Sequence, residues 1–414
     1  MKKILFMLTA VFHLGAFPLC AFDFGLVFNQ DANLDMPGFD SGNTDFNMSG
    51  ALLPRFTMPI GKIGRLYVSA AINYKAALLS STDLSSSTDP FAIIPELTRT
   101  DVSFNFGNIN LNAGRMFYGD PLGITANGLF DGARVSFITP NGNFRAGAWY
   151  TGLLYRERAA IAMTINELKS SNAEVSFDDF AGTYFAPPRI LAAVEYDHPS
   201  INGFVGLKTS ILAQFDAGED KLNSQYFTAV LSVPGKYVIF DLGGCFELIE
   251  YNDKTIPALA ADVGLTFMLP TKLEKHIKLS ARYSSGVSED ETIGAFLPIT
   301  TVSQGELVEA KFSGLTLLSL DYTGRLSKST SMNMAFTYFI RNDLGTYRYY
   351  PTTEEDVEEG FFLGAEIFAR FVWNISSGIR LNLGTGVFLP VLGDVSPEAD
   401  ILWRTKINLV FSIY

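Results

Sequence analysis

The chain is poor in the residues that carry covalent, metal and acid–base chemistry. Its 414 residues hold two cysteines and three histidines. Cys20 and His13 fall in an N-terminal leader, which leaves Cys245 alone, so neither an intramolecular disulfide nor a cysteine metal cluster is expected. His198 and His276 each sit in or beside a turn between strand-like segments. No catalytic constellation, cofactor site or metal site is therefore expected. Long apolar runs are also missing: beyond residue 21 no segment stays apolar for the roughly 18 residues that a membrane helix needs. Positive charge is in deficit, with 31 Lys and Arg against 43 Asp and Glu, a net charge of −12. That balance excludes nucleic acid as an expected partner.

The leader reads Met1-Lys2-Lys3, an apolar stretch from Ile4 to Leu19, then Cys20-Ala21. Basic start, apolar middle and small residue at the cut describe a signal peptide over 1–21, with cleavage after Ala21. A lipoprotein cut before Cys20 is the alternative, with Phe17-Pro18-Leu19 as a poor lipobox. Loss of Lys2 and Lys3 leaves 29 basic residues against 43 acidic ones, or −14. No linker or shift of composition divides 22–414, which is expected to be a single domain.

What the chain does have is period-two alternation. Hydrophobic residues make up 48% of it and the mean hydropathy is +0.19. In the last segment Trp403, Thr405, Ile407, Leu409, Phe411 and Ile413 alternate with Arg404, Lys406, Asn408, Val410, Ser412 and Tyr414. Side chains on a strand point to opposite faces in turn, so one face is nearly all apolar. The same pattern recurs in Phe22–Phe28, Leu66–Ala76, Leu259–Leu269, Ile277–Tyr283, Met332–Ile340, Phe361–Trp373 and Ile379–Leu389. Many of these segments exceed the five or six residues of an ordinary soluble strand and reach the length that a tilted membrane strand needs.

The connections alternate in length. Short ones carry turn residues, at 140–142, 199–202, 234–236, 327–330 and 374–377. Long ones cover 79–98, 157–187, 286–313, 343–359 and 391–400. This alternation implies an all-β fold: a transmembrane antiparallel β-barrel of about 18 strands, with 14–16 as the alternative count. The strands around 48–59, 99–106 and 224–233 carry the weakest signal. Such a barrel belongs in a bacterial outer membrane. Its expected partners are outer-membrane lipid, the barrel-assembly machinery during biogenesis and a small solute; monomer and trimer both stay open. A soluble β-sandwich is the competing fold.

If apolar faces meet lipid, the opposite faces line a lumen. The alternation then assigns Arg65, Lys75, Arg134, Arg145, Lys208, Lys278, Arg282, Arg325, Arg341, Arg370, Arg380, Arg404 and Lys406 to the inner wall. Acidic wall positions are fewer: Glu195, Asp241, Glu247, Asp262, Asp321 and Glu366. A basic, low-dielectric channel concentrates anions. The implied function is passive diffusion of small hydrophilic, anionic solutes. The competing state has the same Arg and Lys paired with wall and loop acids inside a nearly plugged barrel. Segment 157–170 fits a short helix, either folded into the lumen as a constriction or lying outside.

Surplus acids gather in predicted loops, at Asp216-Glu219-Asp220, Glu289–Glu291 and Glu354–Glu359, as solvated loops or as Ca²⁺ ligands. Tyr347, Tyr349 and Tyr350 beside Arg348 fit either a carbohydrate-contacting loop tip or the aromatic girdle at a strand end.

One stretch is more specific. Gly114-Arg115, Tyr118-Gly119-Asp120-Pro121-Leu122-Gly123 and Asn127-Gly128-Leu129-Phe130-Asp131-Gly132-Ala133-Arg134-Val135 resemble the strand-loop-strand segment of the alginate-export porin family. The resemblance covers about two dozen residues. It implies an 18-stranded barrel with a basic lumen for an anionic polysaccharide, and places Arg115 and Arg134 facing the channel. In this chain Arg115 falls in phase with Leu111 and Ala113, and a bulge would have to re-aim it. The second comparison is with long-chain fatty-acid transporters, which would make residues 22–60, rich in Gly, Asn and Asp around 30–50, a hatch inside the barrel. A surface adhesin or antigen anchored by the barrel is the third reading.

Overall fold

The computed structural model describes residues 22–39, 44–79, 91–164, 166–168, 175–218, 221–271, 273–288, 292–308, 310–344, 360–395 and 397–413. The expected leader 1–21, Glu219-Asp220, Glu289–Glu291, Glu354–Glu359 and Tyr347–Tyr350 lie outside the described residues.

Eighteen strands form one antiparallel sheet that closes on itself. In chain order they are β1 (Asp23–Pro37), β2 (Asp45–Ile60), β3 (Gly64–Leu79), β4 (Phe91–Asn105), β5 (Ile109–Gly119) and β6 (Asn127–Thr139). There follow β7 (Gly142–Tyr150), β8 (Arg189–Ile201), β9 (Val205–Asp216), β10 (Asn223–Pro234), β11 (Val238–Tyr251) and β12 (Lys254–Leu269). The last third is β13 (Lys275–Ser284), β14 (Leu315–Arg325), β15 (Thr330–Arg341), β16 (Phe362–Ser376), β17 (Ile379–Leu389) and β18 (Leu402–Ile413). Each strand pairs with its sequence neighbours, and β1 pairs with β18 from Leu26↔Ile413 to Pro37↔Leu402. Closure leaves no edge strand, the condition for a sheet to cross lipid.

The weakly signalled segments at 48–59, 99–106 and 224–233 all lie in strands, β2, β4 and β10. Within 22–60, Asp23–Pro37 and Asp45–Ile60 are wall strands β1 and β2, not a hatch, so that alternative is corrected. The reason is the register: Asn29, Asp31, Asn33 and Asp35 alternate with Gln30, Ala32, Leu34 and Met36, and β1 is locked between β2 and β18 along its length. The polar composition of this stretch is one polar face of a strand.

Short connections gather at one end, where β1 begins and β18 finishes. The other end carries the longer loops, with one exception. The β11–β12 turn is Asn252-Asp253, both in the left-handed region at φ 51° and 60°, as a two-residue hairpin turn requires.

The outer face is apolar and open to its surroundings: Leu265, Leu279, Leu318, Leu320 and Phe336 all stand exposed there. The packed core lies inside the barrel, in the long-loop half. Ile124, Leu154, Ile161, Phe296, Ile299, Leu307 and Phe312 from three loops pack on Tyr118, Trp149, Leu191, Tyr226, Phe339, Phe368 and Phe388 of the inner wall. Backbone bonds tie the loops together: Ile299 N–H donates to Thr125 O, and Thr301 N–H to Ala160 O.

Candidate functional site

The loop core packs on the inner wall from β5 round to β17. The inner faces of β1–β4 and β16–β18 carry polar and charged side chains that meet two inward loop segments. The first is a single helical turn, α1 (Arg156–Ala159). The second is the turn over 303–308.

α1 folds inward, as one of the two readings of 157–170 required. Its Glu157 pairs with Lys75 on β3, and its Arg158 reaches Glu96 on β4 at 3.4 Å and Asn73 on β3 at 3.4 Å. Tyr155 O–H also donates to Glu157, at 2.6 Å. A cavity of about 340 Å³ lies between these groups and Asn29, Asp31, Ser49 and Asn73.

The 303–308 turn is seated by its backbone. Glu366 on β16 is 3% exposed and accepts the N–H groups of Glu306, Leu307 and Val308 at 2.8, 2.9 and 3.1 Å. The Glu306 carbonyl accepts from Arg404 at 3.1 Å and Lys406 at 2.8 Å. Its carboxylate pairs with Arg370 and, at 3.2 Å, with Lys406. Arg404 is held in turn by Asp35 on β1, with two bonds at 2.5 and 3.0 Å. Beside it Asn408 donates to Asn29 at 2.6 Å and Asp31 at 2.7 Å.

The other expected wall residues divide by place. Arg145 pairs with Glu195 at 3.8 Å and Asp197 at 3.4 Å, and Arg282 with Asp262 at 2.5 Å. Asp241 accepts from Ser232 at 2.6 Å. Lys278 stands opposite Asp321 in the β13–β14 ladder, and Lys208 opposite Asp197 in the β8–β9 ladder. Arg134 stands between Asn112 and Gly147. Arg65, Arg325 and Arg380 sit at the short-turn rim; Arg325 lies 3.8 Å from Glu274 and Arg380 donates to Asn374 at 3.0 Å. Arg341 and Glu247 are fully enclosed, Arg341 donating to the Gly360 carbonyl and Glu247 accepting from Leu297 N–H at 2.8 Å. Together with Glu366 they meet loop backbone, not open water, because the loops fold onto the upper inner wall.

Alternation missed several acids that hold cations or line the inner wall. Asp31, Asp35, Glu96 and Asp101 are on wall strands, and Glu157 and Glu306 are on loops. Asp31 and Asp35 carried a legible signal in the polar alternation of β1. Glu157 and Glu306 carried none, because a loop residue has no period to betray its direction.

Arg115 departs from the role that the resemblance implied. It is 7% exposed, pairs with Asp131 through two bonds of 2.7 and 2.8 Å, and donates to the carbonyls of Leu97 and Leu153. The β4–β5 ladder stops at Thr100↔Arg115, so the carbonyls of β4 above that point face no strand. Arg115 takes one of them, and Tyr184 O–H takes that of Pro95 at 2.8 Å. Gly114, at φ 119°, permits the turn of chain that aims Arg115 into this seam. Asp120 in the same motif caps the loop by accepting four N–H groups, from Leu122, Gly123, Thr125 and Ala126.

No protein-family model matches the chain, and no curated protein matches it by sequence. Solved structures do match by fold. OpdF (OccK2) of Pseudomonas aeruginosa in complex with glucuronate has a TM-score of 0.62 at 10% identity, covering 95% of this chain and 98% of that one. OpdQ of the same organism has 0.59 at 9%, covering 95% and 97%. OpdK of P. aeruginosa with vanillate has 0.57 at 10%, covering 94% and 98%. The likeness is one of fold, a closed 18-stranded antiparallel barrel, and it does not single out the alginate-export type.

Proposed function

We propose that this outer-membrane barrel is a channel for passive diffusion of small hydrophilic, anionic solutes. The observation that carries the reading is the group of cations, Arg370, Arg404 and Lys406, set on the inner wall, partly open to solvent, and held there by loop and wall acids. Cations in a narrow, low-dielectric passage raise the local concentration of anions, and their fixed partners keep them oriented at no cost when a solute arrives. Lys208, Lys278 and Arg134 extend the same sign around the wall, and Arg65, Arg325 and Arg380 at the short-turn rim place it at the exit. The structures of similar fold were solved with glucuronate and with vanillate, both carboxylates. The 114–137 resemblance to alginate-export porins names a longer anion of the same charge.

Because most of the cations are ion-paired, the selectivity is modest. In planar bilayers under a KCl gradient the reversal potential should give chloride an advantage of about twofold or more over potassium. Glucuronate should reduce the chloride current, and a uronate oligomer should block more strongly only if the longer anion is the solute. Cation selectivity, or a barrel that does not conduct, would overturn the reading.

A further inference from the structure

Arg370 and Lys406 flank Gly384 in the inner wall: Gly384 pairs with Arg370 on one side and with Lys406 on the other. Two strand spacings put their backbones roughly 10 Å apart; Gly384 sends no side chain inward, and the Phe368 ring packs over it beside Arg370. Both side chains lean toward one point above it, where they meet the carboxylate of Glu306. All three are open to solvent, with side-chain exposures of 46% for Arg370, 30% for Lys406 and 34% for Glu306.

The carboxylate is not what seats the turn. Three backbone N–H groups on Glu366, and the Glu306 carbonyl on Arg404 and Lys406, do that through other atoms. What remains is a solvent-reached carboxylate on a two-carbon stem, bridging two cations that belong to the barrel. A carboxylate solute reaching these exposed groups would make the same contacts.

We propose that Glu306 is a tethered carboxylate occupying an anion site formed by Arg370 and Lys406, and that carboxylate solutes pass by competing with it. The proposal rests on the reading of the barrel as an anion-admitting channel and adds a residue that sets its selectivity. The loop charge keeps the two cations from trapping an anion: a solute gains one pairing only as another is released, which favours passage over retention.

The probe is propionate, which has the chemistry of the glutamate side chain. Chloride current is measured in bilayers for the wild type, E306Q and E306Q/R370Q, with propionate added in steps. E306Q keeps every backbone contact of the turn, and heat-modifiable gel migration reports that each barrel is folded. In E306Q the preference for chloride over potassium should rise by about threefold or more, and half-block by propionate should come at a concentration about fivefold or more lower than in the wild type. The second substitution should abolish the gained sensitivity, because it removes one wall of the site. E306D, which keeps the charge, should behave as the wild type. A wild type that conducts anions while E306Q gains neither selectivity nor propionate block overturns this proposal alone. So does a gain that survives R370Q. A failure of E306Q to fold, with E306D folding, would make the carboxylate structural and overturn it too. A wild type that excludes chloride overturns the channel reading and this proposal with it.

Discussion

Glu366 shows how a single side chain fixes a loop in a barrel. Three consecutive N–H groups converge on its buried carboxylate, and charged acceptors make the stronger hydrogen bonds. Glu366→Ala should orphan those donors at a cost of about 2–3 kcal/mol. Hydrogen exchange of the Glu306–Val308 amides should then speed up by roughly 30- to 150-fold; unchanged protection would show that the turn is held elsewhere. Glu366 was visible in the sequence as a polar residue on an alternating strand, but its role was not. Alternation tells which face a residue occupies, and a loop decides whether that face is wet. Arg115 is the converse. Its phase put it with Leu111, and only the early end of the β4–β5 ladder explains a charged group there, sealing carbonyls that lack a strand.

The loops behave as one packed element. Segments 120–126, 151–164 and 294–315 share backbone bonds and an apolar core, and a lysine is trapped among them. Lys311 donates to the Ala162 carbonyl. Burial pushes its ammonium down from the usual lysine range to about 8, against the pull of Glu167 and Glu247 and with Arg189 adding to the fall. A lysine with a depressed folded value is protonated more readily when the loops open. The open form therefore binds more protons between about 8 and the ordinary lysine value, and packing strengthens as pH rises through that window. Below about 8 the burial penalty is present in full. Limited proteolysis of 285–314 should slow from pH 8 to pH 10 in the wild type. In Lys311→Met it should not change with pH over that range. An equal slowing in both would place the titrating group elsewhere.

At the scale of the molecule the two faces of one sheet obey different solvents. Leu279 on β13 is exposed among Leu265 and Leu320 on the outer face, while its neighbour Ser280 points to the inside. Leu279→Arg should cost about 2–4 kcal/mol in unfolding from lipid vesicles, and Ser280→Arg about 1 kcal/mol or less. Equal costs would mean that the outer face does not meet lipid. The strand count and the short turns at one end were legible, because lipid on one side and water on the other force a period of two along every strand. The apolar core inside the barrel was not. Phe339, Phe368 and Phe388 sit on the inner face in the long-loop half, where the folded-in loops replace water, and there the alternation of apolar and polar breaks down.

The sequence by itself determined the class of the molecule: a closed antiparallel barrel, a lipid-facing surface and a wall studded with Arg and Lys. Those follow from local periodicity, which each strand states without help from the others. Only the tertiary structure decided how those charges are used. Closure brings Asp35 of β1 to Arg404 of β18, 369 residues apart in the chain, and loop folding brings Glu306 to Arg370 and Lys406. Such pairings depend on register and on where a loop returns to the wall. No local pattern encodes either, because a loop carries no period and an ion pair across the closing seam has no neighbour in sequence.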